Sequence, residues 1–219
     1  MNYSDDIFEK LVATIEEATS QAAIDLFNST NETFYFFVLS TTGEALAPFV
    51  SAWSYEALKQ QSIAQNWDAY DIADFKWSSI DSPYLEFGSQ YFHQVNQAFL
   101  DRIDIHSLKT EVEYETEFNF RINAMEEALH RCDMKGIFSL NQARSEIMIN
   151  VEILPPDYTN TIRAKKLNPI ESIQIWLKEA AEPVEKLTFL DSKQAVAPHK
   201  PSILMLGVRR IVRTRFRLP

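Results

Sequence analysis

The residues able to do chemistry are thinly spread along this chain. Its four histidines, His93, His106, His130 and His199, have no close metal-ligand spacing, and no His-Glu-x-x-His pair occurs. Asp104 near His106 and Asp133 near His130 could reach a third ligand only through the fold. The single cysteine, Cys132, excludes an intramolecular disulfide and a cysteine-rich zinc site. Set between Arg131 and Asp133 at the end of an apolar helical run, it reads as a small, buried, inert side chain. Gly43, Gly88, Gly136 and Gly207 stand singly, so no glycine-rich phosphate loop can form, and no serine lies in a nucleophile elbow. No metal, no cofactor and no catalytic residue is therefore expected.

Carboxylates abound, but two acids do general acid–base work only where their environments pull their pKa values apart. Glu111, Glu113, Glu115 and Glu117, with Glu126 and Glu127, read as a solvated face or a docking surface for a basic partner.

Aromatic residues next to acids are more informative. One group is Ala52-Trp53-Ser54-Tyr55-Glu56, at the joint of a strand and a helix. The other runs from Phe75-Lys76-Trp77 through Ser78-Ser79-Ile80-Asp81-Ser82 to Pro83-Tyr84. Large aromatics at strand ends ordinarily pack a core, but indole and phenol groups that share a loop with acids also line recognition pockets. The candidate binding residues are Trp53, Glu56, Trp77, Asp81 and Tyr84.

The elements that position them follow from periodicity. Ile7, Phe8, Leu11, Val12, Ile15, Ala18, Ala22 and Leu26 form one apolar stripe of a first helix, with Ser4 or Asp5 as its cap. Thr33 to Ser40 and Ala45 to Trp53 make a hairpin, with Pro48 marking an edge or bulge. Ser54 caps a helix from Tyr55 to Gln65, Tyr70 to Trp77 reads as a third strand, and Pro83 to Leu100 as a helix. From Glu111 to Ile122 the pattern fits a strand or a helix; a helix from about Thr110 to Met134 is preferred because Ala124 to Cys132 is strongly helix-forming. Glu146 to Leu154 alternates as a half-buried strand, and Asn168-Pro169-Ile170-Glu171 opens a helix to Glu182. Helices mixed with mainly antiparallel strands, without regular crossover units, define an α+β fold.

The composition, 46% hydrophobic and 24% charged, is that of a globular domain rather than a disordered chain. The expected organisation is a single α+β domain over residues 1–188 and a basic C-terminal tail or terminal strand over 189–219. The first part holds 14 basic and 30 acidic residues, a net of −16; the second holds seven basic residues and one acid. An acidic body disfavours nucleic acid and favours a basic protein partner, with an attraction that salt weakens. The C-terminal arginines suit docking against that body, or a basic arm, or an end without a role. No apolar run reaches membrane-spanning length and the first residues lack a signal-peptide pattern, so a cytoplasmic protein without a membrane contact is expected.

The hairpin followed by Ser51-Ala52-Trp53-Ser54-Tyr55-Glu56-Ala57-Leu58, the Lys76-Trp77-Ser78 loop, and Glu127-Ala128-Leu129 through Lys135-Gly136-Ile137-Phe138 resemble the bacterial family catalogued as domain of unknown function 4303. The strand ending at Pro155-Pro156-Asp157 lies where that family also has one, and the likeness covers about residues 5 to 182. Where the family often carries a second tryptophan, this chain has Asp81-Ser82-Pro83-Tyr84. The resemblance implies a compact α+β cytoplasmic domain and assigns no activity. The expectation is a non-enzymatic protein-interaction module, of the kind that neutralises toxins, binding a basic partner. The alternative is a small-molecule binder or enzyme with a pocket near Trp77 and Asp81.

Overall fold

A computed structural model describes residues 4–184; the expected basic C-terminal tail or terminal strand over 189–219 lies outside the described residues. Helix α1 (Asp5–Ser29) follows the apolar stripe and buries Leu11, Val12, Ile15, Ala18, Ala22 and Leu26. Ser4 takes the cap position with its carbonyl rather than its hydroxyl, accepting from Ile7 N–H at 3.0 Å, while Asp5 and Asp6 complement the positive end of the helix.

The hairpin forms as expected, from β1 (Phe34–Thr42) and β2 (Phe49–Ser54), paired antiparallel. Its register slips by one residue between Phe34 and Phe36, a bulge that sends Tyr35 and Phe36 to the same side of the sheet. Ser54 caps α2 (Tyr55–Ala64), its hydroxyl accepting from Ala57 N–H at 2.9 Å. The stretch read as a third strand is instead helix α3 (Ala69–Phe75). Asp68 and Asp71 close a capping box there, with Tyr70 and Asp71 N–H donating to Asp68 and Asp68 N–H to Asp71. Two reciprocal caps outweigh a weak alternation that buries nothing.

The helix expected from Pro83 is shorter, because Glu86 and Gly88 adopt left-handed backbone and only α4 (His93–Leu100) is α-helical. Gly88, at φ +71°, presses on α1: a Cβ there would lie 2.6 Å from Ala22 Cβ. The ambiguous segment is helix α5 (Glu111–Met134), started by a capping box between Thr110 and Glu113. Glu117 is not part of a solvated row. It is fully buried, and its carboxylate accepts from Arg102 at 2.5 and 2.6 Å and from Arg121 at 2.7 Å.

Strand β3 (Met148–Leu154) pairs parallel with β1, giving a three-stranded sheet in the order β2-β1-β3. Helices α6 (Tyr158–Leu167), which the periodicity did not announce, and α7 (Ile170–Glu179) follow. One sheet face packs Phe37, Leu39, Val50, Ile149 and Val151 with residues of α1 and α5. The other packs Phe36, Val38, Trp53 and Met148 with Ala164 of α6 and Ile173 and Trp176 of α7. The chain is thus α+β, with the sheet between two helical layers. No helix among the described residues is long and apolar enough to cross a membrane.

Candidate functional site

The two aromatic segments meet where β2 passes into α2, because the bend from Lys76 to Ser82 lies across the sheet face that carries Trp53. Four hydrogen bonds hold the bend. Tyr35 hydroxyl donates to Lys76 carbonyl at 2.6 Å, Trp53 Nε1 to Ser78 carbonyl at 2.8 Å, and Ser51 Oγ to Ser79 carbonyl at 2.6 Å. Ser82 hydroxyl donates to Ala52 carbonyl. Three side chains of the sheet and one of the bend thereby supply the partners that an irregular bend lacks.

The five residues singled out from sequence come together here, with different parts to play. Trp53 is wholly buried, so its indole holds the bend from below and faces no ligand. Asp81 is exposed and accepts from Ser78 Oγ at 2.6 Å. Glu56 is exposed and accepts from Thr33 N–H at 2.8 Å, fixing the entry to β1. Trp77 is half-buried; its ring meets Tyr35 edge-on at 5.0 Å, and its indole donates to Glu179 Oε2 at 2.8 Å. Tyr84 donates to Glu32 Oε2 at 2.7 Å, and Ser54 hydroxyl donates to the same oxygen at 2.5 Å.

Around this cluster stand acids that sequence reasoning did not single out. Burial first, then Glu146 and Glu179, pushes the Tyr55 phenol above its usual range. Burial first, then Glu32 by hydrogen bond and charge and Glu56 by charge, does the same to Tyr84. Glu179 moves the opposite way: the hydrogen bond from the Lys76 ammonium, at 2.9 Å, holds its carboxyl below the ordinary value, and Trp77 adds to this. Lys76 Nζ also lies 5.1 Å from the Trp77 ring centroid, in cation–π range. Glu32, Glu146 and Glu179 come from distant parts of the sequence, so spacing gave no signal for them.

Beneath the bend lies a second, inward cluster. Ser40 on β1 is in register with Glu152 on β3, and Asn150 and Ser51 flank Val38 on either side. All four polar residues are buried, as is Ser79 of the bend. Desolvation pushes the Glu152 carboxyl up to about 7, while Ser79, Ser40 and the Arg163 guanidinium pull it back. Among the described residues, the buried Asn150 Oδ1 has no hydrogen-bond partner, and the nearby Ser79 hydroxyl reaches no good hydrogen-bond geometry.

Cys132 is buried, and desolvation pushes its thiol up to about 11, so it is a thiol rather than a thiolate at neutral pH. Among the described residues no group of three or more histidines, cysteines or acids is placed to hold a metal ion. A groove of about 610 Å³ lies away from the bend, between α1 and α4, lined by Ile7, Leu11, Gln97, Ala98 and Arg102. Chemically, the outer cluster can receive a cation between aromatic faces and carboxylates, and the inner one can bind and release a proton.

No curated protein and no solved structure matches the chain. A family model described as "Domain of unknown function (DUF4303)" matches residues 15–169, and the chain belongs to that family.

Proposed function

We propose that this family member is a non-enzymatic, cytoplasmic protein-interaction module of the immunity-protein kind, and that its outer aromatic–acidic face receives a basic protein partner. The observation that carries this reading is a pair of aromatic–acid contacts on one face, the Trp77 indole donating to Glu179 at 2.8 Å and the Tyr84 hydroxyl to Glu32 at 2.7 Å. Glu179 accepts from the half-buried Trp77 indole, and the neighbouring cation, Lys76, is engaged by the same carboxylate. A guest lysine or arginine there gains charge attraction and an aromatic face together. From 44 to 86 the chain carries seven acids against Lys59 and Lys76, which extends the field well beyond the contact itself.

The test is capture of basic proteins from a bacterial lysate, followed by binding of the captured partner at rising salt. The expected result is an association rate that falls steeply with ionic strength and falls further in a Glu56→Lys/Glu179→Lys double variant. A partner whose binding ignores both salt and charge reversal overturns the reading.

A second reading, a small-molecule binder or enzyme using the bend near Trp77 and Asp81, draws support from the buried Glu152 carboxyl behind Ser79. A metabolite that raises the melting temperature of the wild type, but not of a folded Trp77→Ala variant, would favour it. Equal shifts in both proteins would remove it.

A further inference from the structure

We infer that the proton on Glu152 is a latch for the bend from Lys76 to Ser82: with the carboxyl protonated the bend stays seated on the sheet, and once the carboxylate forms the bend lifts. The inference concerns the free chain and does not depend on any partner.

Strong donors are few around Glu152. Glu152 is 9% exposed, and the donors it meets are two neutral hydroxyls, that of Ser79 and that of Ser40, the latter at 3.5 Å, the limit of a hydrogen bond. Asn150, two residues away on the same face, adds an unpartnered acceptor oxygen, because its amide nitrogen is turned to Asn160 carbonyl at 3.0 Å. Ser79, on the bend, draws the carboxyl back only in part, and its hydroxyl is left without a close hydrogen bond. A carboxylate there would add negative charge to a pocket already rich in acceptors. A carboxylic acid brings the missing donor itself.

Compensating charge is scarce. From α6 the Arg163 guanidinium faces the cluster, but its Nε donates to Val151 carbonyl at 2.9 Å and its Nη2 to Thr159 and Asn160. Glu126 and Asp157 also act on Arg163, which divides its charge among several acids. The bend contributes Ser79, β1 contributes Ser40 and β2 contributes Ser51, all neutral; α7 covers the same face with Ile173 and Trp176.

Relief must come through the bend rather than the strands. The floor is fixed by β1, which is paired on both sides. The roof is held by the four side-chain hydrogen bonds described above, and Ile80 and Asp81 at its tip are already exposed. Lifting it gives water to Glu152 at the loss of contacts that water can replace. A carboxyl that is weakly acidic when covered and ordinary when uncovered makes the opening constant rise about tenfold per pH unit between its two pKa values, then level off. The rise therefore runs from roughly pH 4.5 to 7.

Amide hydrogen exchange over 77–82 in the full chain, corrected for intrinsic rates, reads the opening directly. Expected is a loss of protection of at least tenfold across that window, absent in Glu152→Gln, whose neutral amide imitates the protonated acid. Independently, a carbon-13 titration of the Glu152 carboxyl in the wild type should have its midpoint well above that of exposed glutamates. Protection that stays flat with pH, a Glu152→Gln variant with the wild-type slope, or a carboxyl that titrates with the exposed ones would each overturn the inference. Should Glu152→Gln fail to fold, the two wild-type measurements decide alone.

Discussion

Asn168 pairs with both backbone groups of Ile149: Ile149 N–H donates to its Oδ1 at 2.8 Å, and its Nδ2 donates to Ile149 carbonyl at 2.6 Å. Asn160 does the same to Ile153, at 2.9 and 3.0 Å, and Arg163 takes the carbonyl of Val151 between them. Three side chains of α6 and its end thus stand in for a fourth strand along the outer edge of β3. Exposed strand edges invite pairing with other chains, and this one is closed from within.

Asn168→Ala should cost about 1–3 kcal/mol, since it leaves two strand groups without partners. Denaturant melts measure the loss, and light scattering after partial unfolding should show more association than in the wild type. An unchanged midpoint would mean that water replaces the carboxamide freely.

Glu117→Ala leaves Arg102 and Arg121 facing each other in the interior without the carboxylate that both use. Removing one partner of a buried ion pair costs about 3–5 kcal/mol. The melting temperature of this variant should fall the furthest of those named here.

Gly88→Ala combines a left-handed backbone with a Cβ placed against Ala22 of α1. The expected loss is about 1–3 kcal/mol. An additional Ala22→Gly change should recover part of it, since it removes the methyl group that the new Cβ meets.

The pH dependence has a definite sign. The Glu152 carboxyl is raised in the folded chain from 4.5 to about 7, so its contribution is complete below pH 4.5 and is lost as pH rises towards 7. Unfolding free energies of the wild type and Glu152→Gln should diverge across that window by at most about 3 kcal/mol, with the wild type the more weakened at pH 7. Glu179, whose carboxyl is lowered, works in reverse and gives up its smaller share as pH falls below 4.5.

Much of the fold was legible because apolar spacing reports burial directly. The α1 stripe, the hairpin, the Ser54 cap and the β3 alternation all reappear in three dimensions. What spacing missed was polar residues placed inside. Asn150 and Glu152 look like the wet side of a half-buried strand, yet α6, α7 and the bend cover that side. Helix α6 went unseen because its buried face holds Asn160, Thr161 and Arg163, which serve the edge of β3 rather than an apolar core. Asn168 has the sequence position of a helix cap, but its carboxamide turns to Ile149 and Pro169 takes the cap position of α7. At the site, Trp53, Glu56, Trp77, Asp81 and Tyr84 were foreseeable as neighbours because each adjoins a strand end or the bend. Glu32, Glu146 and Glu179 reach them only through the folded arrangement.

The double engagement of Glu179, by Lys76 and by the Trp77 indole, makes any arriving cation a competitor. A free amino acid, with one charge and no further foothold, has little to offer in exchange for a tether the protein already supplies itself. A ligand with several positive groups at fixed distances can displace Lys76 and still hold the neighbouring acids. For the basic partner proposed above, the resident lysine would thus act as a selectivity filter that favours a rigid polycationic surface over small amines.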